Sequence, residues 1–199
     1  MGLTSGQNDP LFWSSTNASP KRQFRFYVSF GSDPQSINIP LWTVKTATKP
    51  KATVAVTEHA FLNHTFKYPG RVTWDNVTVT LTDPEDINVC KQVVNLLTKS
   101  GYETPGASTT IKAGQGKTIS KEKAVSAIGS VLIRQTGADG SIVDTWKLVN
   151  PWVVSMDFGG TMDYSSDDLT EITMEIAFDY ALYGAGSKLP VETILASLV

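Results

Sequence analysis

One stretch near the end of the chain, Leu169 to Tyr183, alternates apolar and polar residues over more than a dozen positions. A period of two residues is typical of a β-strand with one buried face. At about 3.4 Å per residue, such a strand would run roughly 40 Å, far beyond the usual five or six residues. Because a long strand needs long partners, the feature predicts a protein built mainly of extended, paired strands. The apolar positions are Ile172, Met174, Ile176, Phe178, Tyr180 and Leu182.

Composition agrees with a folded β protein. The chain has 199 residues, of which 41% are hydrophobic, enough for one domain with a real core. The one cysteine, Cys90, excludes an intrachain disulfide. The first twenty residues are polar, and no apolar run approaches the ~18 residues of a membrane span. We therefore expect a soluble protein that is made in a cytoplasm and has no membrane partner.

Charge is unevenly distributed along the chain. Between Met1 and Trp74 there are eight Lys or Arg residues and three acids, whereas between Leu148 and Ser187 there are seven acids and no Lys or Arg. This asymmetry has two readings, random variation in composition or copies that meet through unlike surfaces. The second reading corresponds to head-to-tail assembly.

The remaining pattern predicts further strands and a long hairpin. Thr53 to Phe66 and Val72 to Thr82 are β-prone on both sides of a Pro-Gly turn, with a bulge expected near Asp75-Asn76. The other predicted strands are 23–30, 37–44 (interrupted by Pro40), 125–135, 142–149 and 152–158. Ala138-Asp139-Gly140 is predicted as a hairpin turn.

One helix is predicted, from Pro84 to Ser100. Asp83 is suited to cap it, and Ile87, Cys90, Val94 and Leu97 have helical spacing on one face. Cys90 is therefore interpreted as a core residue. Residues 101–123 are predicted to form a long loop. The expected division is an N-terminal arm over 1–22, a β domain over 23–183 and a C-terminal tail over 184–199.

No motif predicts catalysis. Gly114 to Thr118 imitates a phosphate loop, but Ile111 stands where the pattern needs glycine. His59 and His64 lie five residues apart on a presumed strand, which would place them on opposite faces. The acidic run from Asp163 to Asp168 lacks the ligand spacing of a calcium loop. We therefore predict no catalytic residues, no cofactor and no bound metal.

The order of three segments resembles the tail tube protein of contractile-tailed bacteriophages, over roughly Gln23 to Tyr183. The first, Thr73 to Leu81, leads directly into the acid-opened helix. The second runs from Val131 to Gln135 and continues at Leu148 to Val154, and the third is Ile172 to Tyr180. The type VI secretion tube protein is related to the same family.

The resemblance implies a fold and a role. The fold is mainly β, a β-sandwich or partial barrel with one flanking helix and a long hairpin, closing into a continuous β-barrel in a hexameric ring. Rings stack on a baseplate tube initiator inside a tail sheath, in a virion tail assembled in the host cytoplasm. The tape measure protein and genomic DNA occupy or cross the lumen. The family carries no catalysis.

Candidate positions follow for the lumen and the subunit contacts. An acidic wall repels DNA phosphates, so acids on the long strand are lumen candidates, although contacts between rings remain an alternative. The lumen candidates are Glu171, Glu175 and Asp179, with Thr78 and Thr80 as an alternative lining. The inter-subunit candidates are Lys49, Lys51, Glu58, His59, Phe61, His64, Phe66, Lys67, Asp163, Asp167, Asp168, Phe12 and Trp13.

Three alternatives stay open. The extra arm, loop and tail also fit a tube initiator or terminator of the baseplate or neck. A monomeric β-barrel that binds a small ligand would need an enclosed apolar pocket. An enzyme would need a convergent acid–base pair, and the sequence offers none.

Overall fold

The computed structural model describes residues 20–31, 39–102 and 118–186. Within these ranges the chain forms ten strands and two helices. The strands are β1 (Phe26–Phe30), β2 (Val44–Ala47), β3 (Lys51–Phe61), β4 (His64–Asp75), β5 (Val77–Thr82), β6 (Val131–Thr136), β7 (Ile142–Val149), β8 (Trp152–Asp157), β9 (Glu171–Ala177) and β10 (Tyr180–Ala185). The helices are α1 (Val89–Lys99) and α2 (Lys121–Ile128). The prediction of a mainly β protein is confirmed.

Two antiparallel four-stranded sheets form the body. Sheet I has the order β1-β6-β7-β10, and sheet II has the order β2-β5-β9-β8. Alternate residues of each sheet point inward, and together they form one core with the buried side of α1. In sheet II, Val79 pairs with Met174 and both are fully buried. This is the alternation expected of sheets with one buried face.

The prediction of a single strand from Leu169 to Tyr183 is wrong. The segment is divided between β9, which pairs with β5 in sheet II, and β10, which pairs with β7 in sheet I. The change of sheet occurs at Phe178 and Asp179, where the Asp179 amide donates to the Val149 carbonyl oxygen at 3.0 Å. The phase of burial changes at the corner, since Met174 and Ile176 are buried in β9, whereas in β10 Ala181 packs against the core and Tyr180 is exposed.

The helix prediction is correct in type and wrong in its start. α1 begins at Val89 rather than Pro84, because Asn88 caps it by accepting from the Lys91 amide at 2.7 Å. Asp83 still accepts from the Cys90 amide at 3.1 Å, from the preceding turn. The fully buried face consists of Val89, Val93 and Leu96. Cys90 is only half-buried and Val94 is exposed, so the predicted buried face is rotated from the observed one.

A second helix lies where none is predicted. α2 occupies Lys121–Ile128, so it covers the end of the predicted 101–123 loop and the start of the predicted 125–135 strand. Ser120 accepts from the Lys123 amide, and Gly129, with φ of 70°, ends the helix. The strand begins only at Val131. The prediction of one flanking helix is therefore corrected to two in the described ranges.

The other strand predictions largely hold. β7 and β8 match the predicted 142–149 and 152–158. A long hairpin is present as β3 and β4, but its turn lies at Leu62 and Asn63, and the predicted Pro-Gly turn lies inside β4. In the described part of the predicted 37–44 strand, residues 39–44, a 3-10 turn at Leu41–Thr43 follows Pro40 and β2 begins at Val44. Neither helix in these ranges is long and apolar enough to cross a membrane.

Candidate assembly interface

The hairpin of β3 and β4 extends from the edge of sheet II as a separate two-stranded ribbon. β2 leads into β3, and β4 leads into β5, with Asn76 between the last two strands. The ribbon therefore continues the β2–β5 pair beyond the end of the sheet. Every residue of β3 is exposed. A bulge in β4, opposite Ala55, shifts the register between the Val54–Val72 and Val56–Pro69 pairs. The bulge bends the ribbon.

Cross-strand pairing divides the exposed side chains into two patches. Paired residues share a face, and residues two apart along a strand share it too. The valine patch, near the base of the ribbon, lies on one face and consists of Val54, Val56, Pro69 and Val72. The aromatic patch, near the tip, lies on the opposite face and consists of His59, Phe61, His64, Phe66 and Tyr68. The valines of the first patch and the phenylalanines and tyrosine of the second are all classed as exposed.

Polar groups occupy the face behind each patch. At the base, Lys51 and Asp75 form an ion pair at 2.8 Å on the face opposite the valine patch. At the tip, Lys67 and Glu58 lie 3.6 Å apart on the face opposite the aromatic patch. Both pairs are solvent-exposed and contribute little to stability. Each level of the ribbon therefore has one apolar and one polar side.

The two histidines lie on the same face, contrary to the prediction of opposite faces. The turn at Leu62 and Asn63 separates them, so they belong to different strands, with His59 paired to Phe66 and His64 paired to Phe61. The His64 and Phe66 rings meet edge to face at 4.7 Å. The described residues contain no group of three or more His, Cys, Asp or Glu side chains that could hold a metal ion.

Four of the five lumen candidates share one surface. In sheet II, Thr78 pairs with Glu175 and Thr82 pairs with Glu171, on the face that points away from the core. Thr80 lies between them, paired with Thr173. Glu175 accepts from the Asn76 amide group at 2.8 Å, and Glu171 forms an ion pair with Lys45. The result is a polar wall of threonines and glutamates, which we call the polar face of sheet II.

Asp179 and Lys49 are separated from the groups predicted with them. Asp179 lies at the corner between β9 and β10, where Lys121 and Asn150 donate to its carboxylate at 2.7 Å each. These hydrogen bonds, that of Lys121 first, lower the pKa of the Asp179 carboxyl. Lys49 donates to Gln135 of the body at 2.7 Å. Phe12 and Trp13 lie outside the described residues, as does most of the phosphate-loop-like segment.

An acidic loop, residues 158–170, leaves sheet II at the end opposite the hairpin. β9 begins at Glu171 beside Thr82, whereas the hairpin joins the sheet next to Val77, which pairs with Ile176. The loop carries Asp163, Asp167 and Asp168 and also exposes Met162, Tyr164 and Leu169. It borders a concavity of about 660 Å³ that Lys45 and Glu171 help to line. Hydrogen bonds from the backbone amide and hydroxyl of Ser165 lower the pKa of the Asp163 carboxyl, which favours its charged form.

Sequence reasoning missed a polar cluster in the body. Asp144 is 4% exposed and points inward from β7, where Lys21 donates to it at 2.6 Å and Tyr183 donates at 2.7 Å. Burial opposes ionisation of Asp144, but the hydrogen bonds from Lys21 and Tyr183 outweigh it and lower the pKa of the carboxyl. The available signal was a lone aspartate at an inward position of a strand. The cluster holds Lys21, close to the first described residue, against sheet I.

Similar folds occur among solved structures, although the sequence comparisons find no relative. No protein-family model and no curated protein sequence matches the chain. Among solved structures, a chain of the anti-feeding prophage cap (AFP tube terminating cap) aligns with a TM-score of 0.58 and 15% identity, over 93% of this chain and 99% of that one. A chain of the PVC sheath-tube complex, from an extracellular contractile injection system in the extended state, aligns with a TM-score of 0.55 and 18% identity, over 83% and 92%.

The chain has a tail-tube-like fold. A chain of the anti-feeding prophage baseplate also aligns, with a TM-score of 0.56 and 14% identity, over 84% of this chain and 97% of that one. The resemblance seen in the sequence is thus confirmed at the level of fold. These alignments cover 92–99% of the solved chains and 83–93% of this one.

Proposed function

We propose that this protein is a structural, non-catalytic tube subunit that assembles into stacked hexameric rings. One observation carries the proposal: sheet II has a basic, aromatic hairpin at one end and an acidic loop with exposed apolar residues at the other. Copies related by translation along the strands would bring these unlike ends together. Such heterologous contacts do not close on themselves and produce filaments. The inter-subunit candidates on the hairpin and the loop fit this role.

Sheet II has two edge strands through which the ring would close. Its edge strands are β2 and β8, and both carry exposed residues. Free strand edges favour uncontrolled association unless they are covered, and closure into a barrel removes them. All neighbours in sheet II are antiparallel, and the sheet has four strands, so β2 and β8 run in opposite directions. Rotation about the ring axis would therefore pair β8 with the next copy's β2 in antiparallel fashion, and the barrel would be antiparallel throughout.

The polar face of sheet II would then line the lumen. Thr78, Thr80, Glu171 and Glu175 present hydroxyls and carboxylates rather than apolar or basic side chains. Carboxylates repel the phosphates of nucleic acid, so a polyanion would pass along such a wall with little adhesion. Asp179, which is engaged at the corner of the fold, is a weaker lumen candidate than the other four.

The wider assembly follows from the same role. The PVC chain that aligns with this protein comes from a sheath-tube complex, and another aligned chain comes from a baseplate. We therefore include a tail sheath protein and a baseplate tube initiator among the partners. Passage of a tape measure protein and genomic DNA, and location in a phage tail assembled in the host cytoplasm, complete the proposal.

A tube-terminating cap is the second candidate. It is favoured by one observation, the alignment with the anti-feeding prophage cap over 93% of this chain. A cap contacts the tube at one end only. A subunit that elongates the tube needs complementary surfaces at both ends, and this chain has them, so we prefer the tube subunit.

Deletion of the hairpin tests the proposal. Purified full-length protein should form rings and tubes in negative-stain electron microscopy as its concentration is raised. Removal of residues 52–68 should leave a folded body, checked by circular dichroism, that no longer polymerises. Tubes formed by the deletion variant would refute the assignment. Single rings that never elongate at any concentration of the full-length protein would identify a cap or initiator instead.

A further inference from the structure

The hairpin's apolar residues change face between base and tip. A ribbon covered by one partner would keep one apolar and one polar face along its whole length, as sheets covered on one side do. Here the valine patch and the aromatic patch lie on opposite faces at different levels, each backed by an ion pair. Each patch therefore needs cover from its own side of the ribbon.

We infer that each patch is covered by a different copy of this chain. The valine patch binds the neighbour in the same ring, and the aromatic patch binds the acidic loop of a copy in the next ring. Ring formation and ring stacking are thus assigned to separate residues of one hairpin. The inference depends on the proposed function, which it deepens by naming the partner of each surface.

Reach and chemistry place the aromatic patch on the next ring. β3 has 11 residues, and at about 3.4 Å per residue the ribbon carries its tip roughly 35 Å from its base. The acidic loop lies at the other end of sheet II, so a tip directed away from its own ring meets this end of the next one. In the loop, exposed Met162 and Leu169 help to line a concavity of about 660 Å³, and Tyr164 is also exposed.

Charge complements these apolar contacts. The segment from Lys49 to Arg71 carries four Lys or Arg residues and two histidines against one acid, Glu58. The acidic loop carries Asp163, Asp167 and Asp168 and no basic residue. Complementary charges steer association and exclude the opposite pairing of tip to tip or loop to loop. The contact is therefore directional.

Continuity of the strands places the valine patch on the same ring. β2, whose free edge would pair with the neighbour's β8, leads into β3. The neighbour's β8 begins at Trp152, at the end of sheet II from which the hairpin leaves, because Trp152 pairs with Ala177. Exposed Val154 of β8 and exposed Tyr180 of β10 lie near the same end. A copy paired along β2 thus brings apolar side chains beside the base of the ribbon.

Paired substitutions with matched controls separate the two contacts. The tip variant Phe61→Thr/Phe66→Thr should form rings but at least tenfold fewer tubes than the unsubstituted protein. The base variant Val56→Thr/Val72→Thr should remain monomeric at concentrations where the tip variant forms rings. The controls lie at the same levels on the opposite faces: Ala60→Thr at the tip and Thr53→Ser at the base, both of which should form tubes normally. Sedimentation velocity and negative-stain microscopy distinguish monomers, rings and tubes.

Failure of this inference is distinguishable from failure of the proposed function. If the unsubstituted protein forms neither rings nor tubes, the proposed function is wrong and the inference with it. If it forms tubes, but the tip and base variants stop at the same step or a control behaves like its variant, only the division of the hairpin is wrong.

Disulfide trapping tests the tip contact without relying on loss of assembly. In a Cys90→Ser background, Phe66→Cys protein is mixed with Met162→Cys protein under mild oxidation during polymerisation. Disulfide-linked heterodimers should form at least tenfold more than in a mixture of Ala60→Cys with Met162→Cys. Equal yields in the two mixtures would overturn the tip assignment.

Discussion

The body and the hairpin use the same residue types for opposite purposes. Val79 in β5 is fully buried, whereas Val56 in β3 is 61% exposed, although both lie in valine- and threonine-rich strands. In β5 and β9, the central strands of sheet II, every second residue is buried, and in β3 none is. The difference shows that local strand preference is shared, but only the body has its own second layer.

The comparison also locates the source of stability. A two-stranded ribbon is marginal in water unless another layer covers it. The body's two sheets cover each other around one core, so the free energy of unfolding of a single copy comes mainly from the body. The hairpin gains its cover from other copies in the proposed assembly. Changes in the body should therefore affect folding, and changes in the hairpin should affect association.

The largest expected effect is a loss of folding stability from a core valine. Val79→Ala should lower the free energy of unfolding by about 2–3 kcal/mol, because it removes buried methyl groups and leaves a cavity. The same change at exposed Val56 should stay within about 0.5 kcal/mol. Urea unfolding of the monomer, followed by tryptophan fluorescence, measures both. Equal losses would mean that the hairpin is part of the cooperative unit.

Loss of a buried and of an exposed ion pair should differ by about 2 kcal/mol in the free energy of unfolding. Asp144→Asn should destabilise the monomer by about 1–3 kcal/mol, because it weakens the charge-assisted hydrogen bonds from Lys21 and Tyr183 at a buried position. Asp75→Asn breaks the exposed pair with Lys51 and should cost less than about 1 kcal/mol. Thermal unfolding of the two variants beside the parent protein checks the order. A larger loss from Asp75→Asn would contradict it.

A smaller effect is expected at the hairpin turn. Leu62 has φ of 54°, a conformation that costs a residue with a side chain roughly 1 kcal/mol relative to glycine. Leu62→Gly should therefore slow hydrogen exchange of the hairpin amides by about fivefold, with body amides unchanged. Leu62→Ala is the control, because it removes the side chain but keeps the strain. Exchange that accelerates in the glycine variant would show that Leu62 stabilises the turn by packing.

The smallest effect is a dependence of body stability on pH. The pKa values of Asp144 and Asp179 are lowered in the folded state, so their contribution is complete above the ordinary aspartate pKa of about 3.9 and is lost as pH falls through the folded values. Unfolding free energies measured between pH 6 and pH 2 should fall in acid. The slope should be shallower in Asp179→Asn, which cannot titrate there. An unchanged slope would remove Asp179 from the explanation.

Much of the fold is readable from alternation. β7 follows the sequence pattern closely, because it is a continuous run with turn residues at its ends. The hairpin is readable as extended strands, but its turn at Leu62 and Asn63 is not, because Pro69 and Gly70 carry the stronger turn signal and lie inside β4.

The division of the long strand into β9 and β10 is not readable, because Tyr180 and Leu182 continue the apolar alternation of β9 in the sequence, although Tyr180 is exposed and Ala181 packs against the core. α2 was hidden because the charged residues of its first turn, 121–123, continue the polar composition of the preceding segment, and its alanines look like weak strand residues.

The candidate surfaces were predicted only in part. The acidic and threonine positions on β5 and β9 share a face because strand periodicity dictates it, and Asp179 departs because the corner resets the periodicity. The division of the hairpin into two patches depends on cross-strand register and on the bulge near Gly70. Register across a turn is set by the turn and bulge geometry, which residue spacing along one strand does not specify.

The corner at Phe178 and Asp179 has a mechanical consequence. β9 and β10 form one unbroken run of peptide bonds that passes from sheet II to sheet I, and Lys121 and Asn150 hold the crossing in place. Sliding of one layer past the other would have to stretch covalent bonds at this point. In a tube made of such subunits, a force on one sheet is therefore transmitted through this corner to the other sheet. The tube wall would resist shear between its two sheets.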